Sequence, residues 1–597
     1  MTTNCQNNTN KKIEKIRELM IKNNVDIYII PSSDFHQSED VGEYFRCREY
    51  VSGFTGSAGI LVITKEKSYL WTDGRYFIQA EKELKDSETE LCKSGTARTP
   101  TITEFLQKNL KTYDTLGFDG RVMSYNQMLT YKSALKEKNI RFVTNFDFVG
   151  DTWENRPSLS KEKIFVLDTK YCGENTQSKL QRLRKAMKEE NTDIHIITSL
   201  DDIAWLFNIR GNDIPCNPVV LSYAIITMDR AILFVDKDKI DRDTEKYFQE
   251  NNIAVADYFS FYEELKNIDN SQKVLIDYDR INAAVYSSIP FAVKKINKTN
   301  PTQNFKAIKN DTEIKNIINA HIKDGVAFTK FMYWLKNNIG KIEITEISAT
   351  DVLENFRKEQ AGYIEPSFDT ITAYSANAAM MHYTATKNSY AVLEPKNLLL
   401  IDSGGQYFEG TTDITRTIAL GEVDENIKKH FTAVLRSMIA LSNIKFLHGT
   451  RGYNLDAIAR APIWELGIDY RCATGHGIGY LLNVHEGPNI FRLSADFIVE
   501  PNMITTIEPG IYIENSHGIR IENEVLSKNW IKNEYGQFME FIPVTFAPID
   551  IDAIDISLLS KSEKDYLNNY HKNVYEKIST FLNDEEKEWL KIYTREI

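Results

Sequence analysis

The chain has 597 residues, 42% hydrophobic, 26% charged and 11% aromatic, the composition of a soluble globular protein. Lys plus Arg number 72 against 84 Asp plus Glu, a formal net charge of -12, which speaks against a nucleic-acid partner or a basic membrane-surface protein. No apolar run approaches the ~18–20 residues of a spanning helix. The polar start MTTNCQNNTNKKIEKIREL lacks the apolar segment of a signal peptide, so a cytoplasmic location is expected.

Six cysteines (Cys5, Cys47, Cys92, Cys172, Cys216 and Cys472) lie far apart with no CxxC pair, and read as reduced thiols. Only ten histidines are available, so chemistry that needs several must draw on the same few.

At ~150 residues per domain the length suggests about four domains. Two stretches of the first half look alike. An amphipathic helix is predicted near 10–23, followed by strands at 26–30, 59–64 and 68–72. A second helix near 176–190 is followed by strands at 193–197, 219–227 and 231–235, separated by the same kinds of glycine-marked and charged turns. A duplicated α/β unit is the economical reading. Breaker residues in DTWENRPSLS (151–160) and NKTNPTQNF (297–305) mark the boundaries, giving domains 1–152, 153–304 and 305–597.

Beyond the second boundary, Ile314, Ile317, Ile318, Val326, Phe328, Phe331, Met332 and Leu335 recur at helical spacing and predict two long helices over 306–340. The segment from 558 reads as a packed helix pair carrying Tyr566, Tyr570 and Trp589. The glycines of SGFTGSAG (52–59) fit neither phosphate-loop pattern, and a strand follows where a helix is required, so this is a turn.

The polar residues of interest lie in the last third. NLLLIDSGGQYFEGTTDITRTIAL (397–420) reads as a hairpin with Asp402 ending one apolar strand and Asp413 on the return, so that the two carboxylates can sit side by side. An uncompensated charge at the end of such a run is costly. In ATGHGIGYLLNVHEGP (473–488), glycines flank His476 and His485 follows; flanking glycines let the backbone approach closely and aim a ring, although a histidine in such a turn is commonly structural. Glu508 ends the apolar run of MITTIEPGIYIE before a Pro-Gly turn. In GIRIENEVL, Arg520, Glu522 and Glu524 alternate with Ile519, Ile521 and Val525; taken alone, this strand reads as a sheet edge with a charged, solvated face.

Together these pieces say more. Four carboxylates and one imidazole form an oxygen-dominated donor set suited to Mn²⁺ or Mg²⁺ and tolerant of Zn²⁺ or Co²⁺. Four negative charges match two divalent cations, the stoichiometry of a centre in which carboxylates bridge ions ~3.5–4 Å apart and a bound hydroxide is the nucleophile.

Asp402, Asp413, His476, Glu508 and Glu522 resemble, in order and spacing, the metal ligands of the pita-bread metallopeptidases. More narrowly, the chain resembles the long three-domain aminopeptidase P (Xaa-Pro aminopeptidase) family. The segments FHQSEDVGEYFRCREYVSGFTGSAG, WTDGRYFIQAEKEL, IDSGGQYFEGTTDITRT, GHGIGYLLNVHEGP and GIRIENEV carry the likeness from about residue 10 to the end. The resemblance implies an α/β (α+β) architecture of two related N-terminal creatinase-like α/β domains followed by a C-terminal pita-bread catalytic domain.

It also implies roles. Asp402 chelates one metal, Asp413 and Glu522 bridge, and His476 and Glu508 complete the other. Glu508 also serves as proton shuttle. His382 and His485 match substrate-binding and catalytic histidines, with His485 on the scissile carbonyl; Tyr512 and Arg520 match residues on the proline side. Two divalent ions per subunit, foremost Mn²⁺, and a homodimer are implied. The family often has a histidine four residues before the metal-binding one; here that position is Cys472, which is not taken as a ligand.

The implied reaction is hydrolysis of the Xaa-Pro bond, releasing the N-terminal residue of a peptide. That bond is a tertiary amide without an N–H, which proteases reading an extended backbone cannot grip in the usual way. Other hydrolases of the same fold, foremost a prolidase, remain open, with methionine aminopeptidase disfavoured by the long duplicated N-terminal half. A non-enzymatic peptide-binding relative and a two-metal phosphatase are further alternatives. The complete ligand set speaks against the former, and the lack of an Arg/Lys phosphate clamp against the latter.

Overall fold

The computed structural model describes residues 2–597, with side chains from Asn8 onward; the Cys5 side chain lies outside that range. The chain divides into two compact units, one comprising Met1–Val166 and Glu174–Thr302, the other Leu167–Gly173 and Gln303–Ile597.

The first unit opens with α1 (Thr2–Lys22), which buries Ile13, Ile16 and Met20 at helical spacing. Six strands follow: β1 (Ile27–Pro31), β2 (Ile60–Thr64), β3 (Ser68–Thr72), β4 (Thr89–Lys93), β5 (Thr115–Gly117) and β6 (Arg141–Val143). They form one sheet in the order β4-β3-β2-β1-β5-β6. The β1–β2 and β2–β3 pairs are antiparallel; β3–β4, β1–β5 and β5–β6 are parallel.

The pattern then repeats. Helix α2 (Thr176–Glu189), capped by the Asn175 side chain, precedes β7 (Ile194–Ile197), β8 (Ser222–Thr227), β9 (Ala231–Val235), β10 (Ile253–Ala256), β11 (Lys273–Ile276) and β12 (Lys294–Asn297). Their order, β10-β9-β8-β7-β11-β12, reproduces the first sheet position by position. The antiparallel and parallel pairs fall at the same places. The duplication suggested by three strands therefore extends to all six.

The second unit holds the residues of chemical interest. Where two long helices were expected over 306–340, there is one helix, α3 (Asp311–Asn338), entered through an Asn310–Glu313 capping box and preceded by a short helix at Pro301–Ala307. Gly325 does not break α3. It lets the helix meet the backbone of Phe546, where a Cβ would stand 2.1 Å from the carbonyl oxygen.

After α4 (Glu346–Lys358), strands β13 (Ile371–Tyr374), β14 (Leu398–Ser403) and β15 (Ile414–Ala419) form an antiparallel sheet in that order. Helices α5 (Glu425–Ser442) and α6 (Gly452–Trp464) flank β16 (Lys445–Leu447) in sequence. The strands β17 (Ile504–Ile507), β18 (Gly510–Ile513), β19 (His517–Arg520), β20 (Asn523–Asn533) and β21 (Gly536–Pro543) complete the domain. Their four-stranded sheet runs β16-β21-β20-β17, with β18 and β19 as a separate hairpin. The expected terminal pair is present as α7 (Lys561–Ile578) and α8 (Asp584–Tyr593).

Arg416, fully buried on β15, ties these layers together. Its guanidinium donates to the Pro548 carbonyl at 3.0 Å, the Asn523 side chain at 2.9 Å, the Ala547 carbonyl at 2.9 Å and the Tyr570 hydroxyl at 2.8 Å. Among the described residues no disulfide is formed, and no helix is long and apolar enough to cross a membrane.

His571 on α7 accepts the Ile549 N–H at 3.2 Å, and burial aided by the Arg416 charge depresses its pKa from 6.5 to about 3. Below pH ~6.5 the unfolded chain takes up a proton that the folded ring refuses, so this group lowers stability as pH falls, by about 1.4 kcal/mol per pH unit. We predict that His571→Gln flattens the decline in unfolding temperature between pH 6.5 and 4.5. A decline as steep as the parent's would mean that the folded ring already carries the proton.

Candidate metal centre

The β14–β15 ladder sets the first two carboxylates. Asp402 pairs with Thr415 across the ladder, and Ser403 with Ile414, so Asp413 sits one residue before β15 begins. Both aspartates are buried. His476 lies on a two-residue strand held by its own N–H to Thr506 Oγ1 at 3.0 Å. The approach is close because Gly475 precedes it: a Cβ there would stand 1.8 Å from the Thr506 carbonyl oxygen. Glu508 follows β17 and donates its N–H to the Thr474 carbonyl at 2.7 Å. Glu522 lies between β19 and β20, and its N–H reaches the Thr415 carbonyl at 3.1 Å.

The side chains converge. Ligand atoms of Asp413, His476 and Glu522 lie within 4.8 Å of one another. His476 Nε2 is 3.5 Å from Asp413 Oδ2 and 3.5 Å from Glu508 Oε1. Asp402 joins through Arg520, whose Nη2 pairs with Asp402 Oδ2 and whose Nε is 3.9 Å from Glu508 Oε2. Burial, reinforced by neighbouring carboxylates, holds the Asp413 and Glu522 carboxyls well above the usual range. Arg520 stays cationic: burial pushes its pKa down, but Tyr512, Asp402 and Glu508 outweigh that and raise it.

Each buried carboxylate keeps one oxygen back. Asp402 Oδ1, Asp413 Oδ1 and Glu522 Oε1 are buried without a hydrogen-bond partner, while Glu522 Oε2 accepts the Thr415 hydroxyl at 2.8 Å. Acceptor-only groups with no donor facing them suit cations, and this donor set suits hard divalent ions. The strand that, taken alone, would read as a charged solvent edge is buried on both sides: Arg520 is 3% exposed, Glu522 1% and Glu524 0%.

The remaining candidates surround the cluster. His485, partly buried, packs its ring edge-on against His476 at 4.3 Å between centroids. Arg520 Nη1 donates to the Tyr512 hydroxyl at 2.6 Å, and Nη2 to the Met381 carbonyl at 3.4 Å, next to the partly buried His382. Cys472 is partly buried and its carbonyl accepts Arg460 Nη2 at 2.8 Å; its thiol is not among the clustered ligand atoms.

Two supporting residues escaped the sequence reading. Glu524 Oε1 accepts the Asp413 N–H at 2.8 Å and lies 3.0 Å from His321 Nε2, whose other nitrogen is 2.8 Å from the Ile317 carbonyl. Burial alone would lower the His321 pKa, but Glu524 raises it. The ENE alternation was the only sequence signal for Glu524, and His321 in the middle of α3 offered none.

Residues 315–529 match the model of metallopeptidase family M24, and residues 537–597 that of the C-terminal region of the same peptidases. Residues 12–146 and 155–313 each match a creatinase/prolidase N-terminal domain. A Dictyostelium discoideum protein named Xaa-Pro aminopeptidase 1 is 38% identical over 97% of this chain and 95% of its own length. The chain belongs to metallopeptidase family M24.

Other M24 relatives agree. Aminopeptidase P2 of Arabidopsis thaliana is 37% identical, covering 98% of this chain and 88% of its own. The crystal structure of a Caenorhabditis elegans X-prolyl aminopeptidase, described as a cytosolic enzyme with a dinuclear active site, superposes with a TM-score of 0.95 and 32% identity. It covers 99% of this chain and 100% of its own. An Xaa-Pro dipeptidase from Bacillus anthracis is 27% identical, reaches a TM-score of 0.51 and covers only 63% of this chain.

The crowding of carboxylates has a thermodynamic consequence. A carboxyl whose folded pKa is raised costs the metal-free protein stability once pH exceeds the unfolded value of ~4, because the unfolded chain ionises first. Glu522→Gln should therefore raise the unfolding temperature of the metal-free protein at pH 7, while removing most of the further rise that divalent metal confers on the parent. Calorimetry with and without metal checks both, and a lower unfolding temperature for the metal-free variant would contradict the electrostatic argument.

Proposed function

We propose that this M24 chain is a metal-dependent aminopeptidase that hydrolyses the Xaa-Pro bond and releases the N-terminal residue of peptides with proline second. The observation that carries the reading is the set of unpartnered buried carboxylate oxygens on Asp402, Asp413 and Glu522 beside His476, in a chain matched end to end by Xaa-Pro aminopeptidases. Asp402, Asp413, His476, Glu508 and Glu522 are the residues that would hold two divalent ions. Oxygen-rich ligation favours Mn²⁺, with Zn²⁺ or Co²⁺ acceptable. When bound, such a pair supplies an activated water and Lewis acidity at the carbonyl.

The protein's own groups do the rest. Glu508 takes a proton from the attacking water and passes it to the proline nitrogen as the bond breaks. His485, with its ring against His476, donates a hydrogen bond to the carbonyl as negative charge develops there. His382 contributes a second substrate contact. The Tyr512–Arg520 pair closes the side that receives proline. The substrate's free amine would bind on the Asp402 side of the centre, which restricts cleavage to the chain end.

The creatinase-like domains, 1–152 and 153–304, take no part in the chemistry. We read the protein as a cytosolic homodimer, with the catalytic domain 305–597 making the contact.

Glu508→Gln should abolish turnover of Xaa-Pro tripeptides, at least about 10²-fold, while the protein stays folded; activity near the parent's would sink the proposed mechanism. Chelation should silence the parent and Mn²⁺ restore it. Turnover confined to Xaa-Pro dipeptides would instead identify a prolidase.

A further inference from the structure

Glu486 follows His485 directly and is 4% exposed. Two ammonium groups converge on its carboxylate: Lys309 Nζ donates to Oε1 at 2.8 Å, and Lys306 Nζ lies 3.4 Å from Oε2, with all three side chains 1–2% exposed. Lys309 also donates to the Lys306 carbonyl at 2.8 Å, and its own N–H meets the Asn502 carbonyl at 2.9 Å, just ahead of β17, the strand that Glu508 follows.

The segment between the two histidines is closed on itself. The Glu486 N–H reaches the Gly477 carbonyl at 2.8 Å and the Gly477 N–H reaches the Asn489 carbonyl at 2.7 Å. The Asn489 side chain donates to the Ile504 carbonyl and to Thr505 Oγ1, both at 2.7 Å. Closure leaves no slack: a Cβ on Gly477 would stand 2.2 Å from the Glu486 carbonyl oxygen.

Two buried cations on one buried anion are a poor device for stability, since packed apolar residues of equal volume usually serve as well or better. They are effective for fixing a carboxylate in one place. We propose that the Lys306–Glu486–Lys309 clamp positions His485, holding its ring in the orientation that meets the substrate carbonyl. Lys309 and Glu486 are thus positioning residues for the reaction. This inference rests on the assignment of His485 made above.

Lys309→Met tests it, because the variant retains the Glu486–Lys306 pair and leaves no buried ion unmatched. We expect kcat on an Xaa-Pro tripeptide to fall roughly 10- to 100-fold, with KM changed little and with metal content and unfolding temperature close to the parent's. Combined with His485→Ala, the same substitution should cost nothing further in kcat, since the ring it positions is gone. An unchanged kcat in Lys309→Met would overturn the proposal. So would a loss that adds in full to that of His485→Ala, which would mark the clamp as general scaffolding. His485→Ala alone reports separately on the assignment of His485: full activity there removes the basis for both.

Discussion

Four carboxylates are held in a space where like charges repel and water is scarce, and the surrounding structure is arranged around that problem. Each ligand is anchored through its backbone: the β14–β15 ladder and the backbone N–H groups that donate to Thr415, Thr474 and Thr506 fix where the side chains start. Left without cations, the cluster lowers its charge by taking up protons, which is why burial and mutual repulsion drive the Asp413 and Glu522 carboxyls upward. The cluster thus costs the fold stability and supplies the means of binding divalent metal.

Positive charge is supplied where it steadies the acids without covering the oxygens they present. Arg520 pairs with Oδ2 of Asp402 and leaves Oδ1 unpartnered. His321 sits behind Glu524, which in turn holds the Asp413 N–H, so the imidazole acts on a ligand at one remove. Arg416 donates to the carbonyls of Thr415, Glu522, Ala547 and Pro548 and to the side chains of Asn523 and Tyr570, and none of these acceptors is a carboxylate. The supports determine where the ligands point, and small displacements there are expected to matter as much as loss of a ligand.

Glycine appears where the backbone must come closer than a side chain allows. At Gly475 and Gly477 the backbone carrying His476 is pressed against the Thr506 and Glu486 carbonyls at distances no Cβ would tolerate. At Gly325 the same tolerance lets α3 run unbroken past Phe546, the point at which the expectation of two helices failed. Sequence periodicity registers a glycine in a helix as a weakness; only the neighbour it touches reveals its use.

Much of the protein was legible beforehand because local signals carried it. Strand-length apolar runs bounded by turns located the first three strands of each N-terminal repeat, and acids at the ends of apolar runs stood out because burying a charge is costly. The polarity of the GIRIENEVL strand, taken alone, was ambiguous, since alternation describes which residues share a face but not whether that face meets water. His321, Lys306 and Lys309 left no trace: a histidine in mid-helix and two lysines at and just past the end of a short helix look like surface residues until distant segments cover them. The sequence by itself determined the kinds of donor present and their order along the chain. The tertiary structure alone decided which carboxylate oxygens go unpartnered and which cations stand behind them, because both depend on contacts between residues more than a hundred positions apart, such as Arg520 with Asp402 and Lys309 with Glu486.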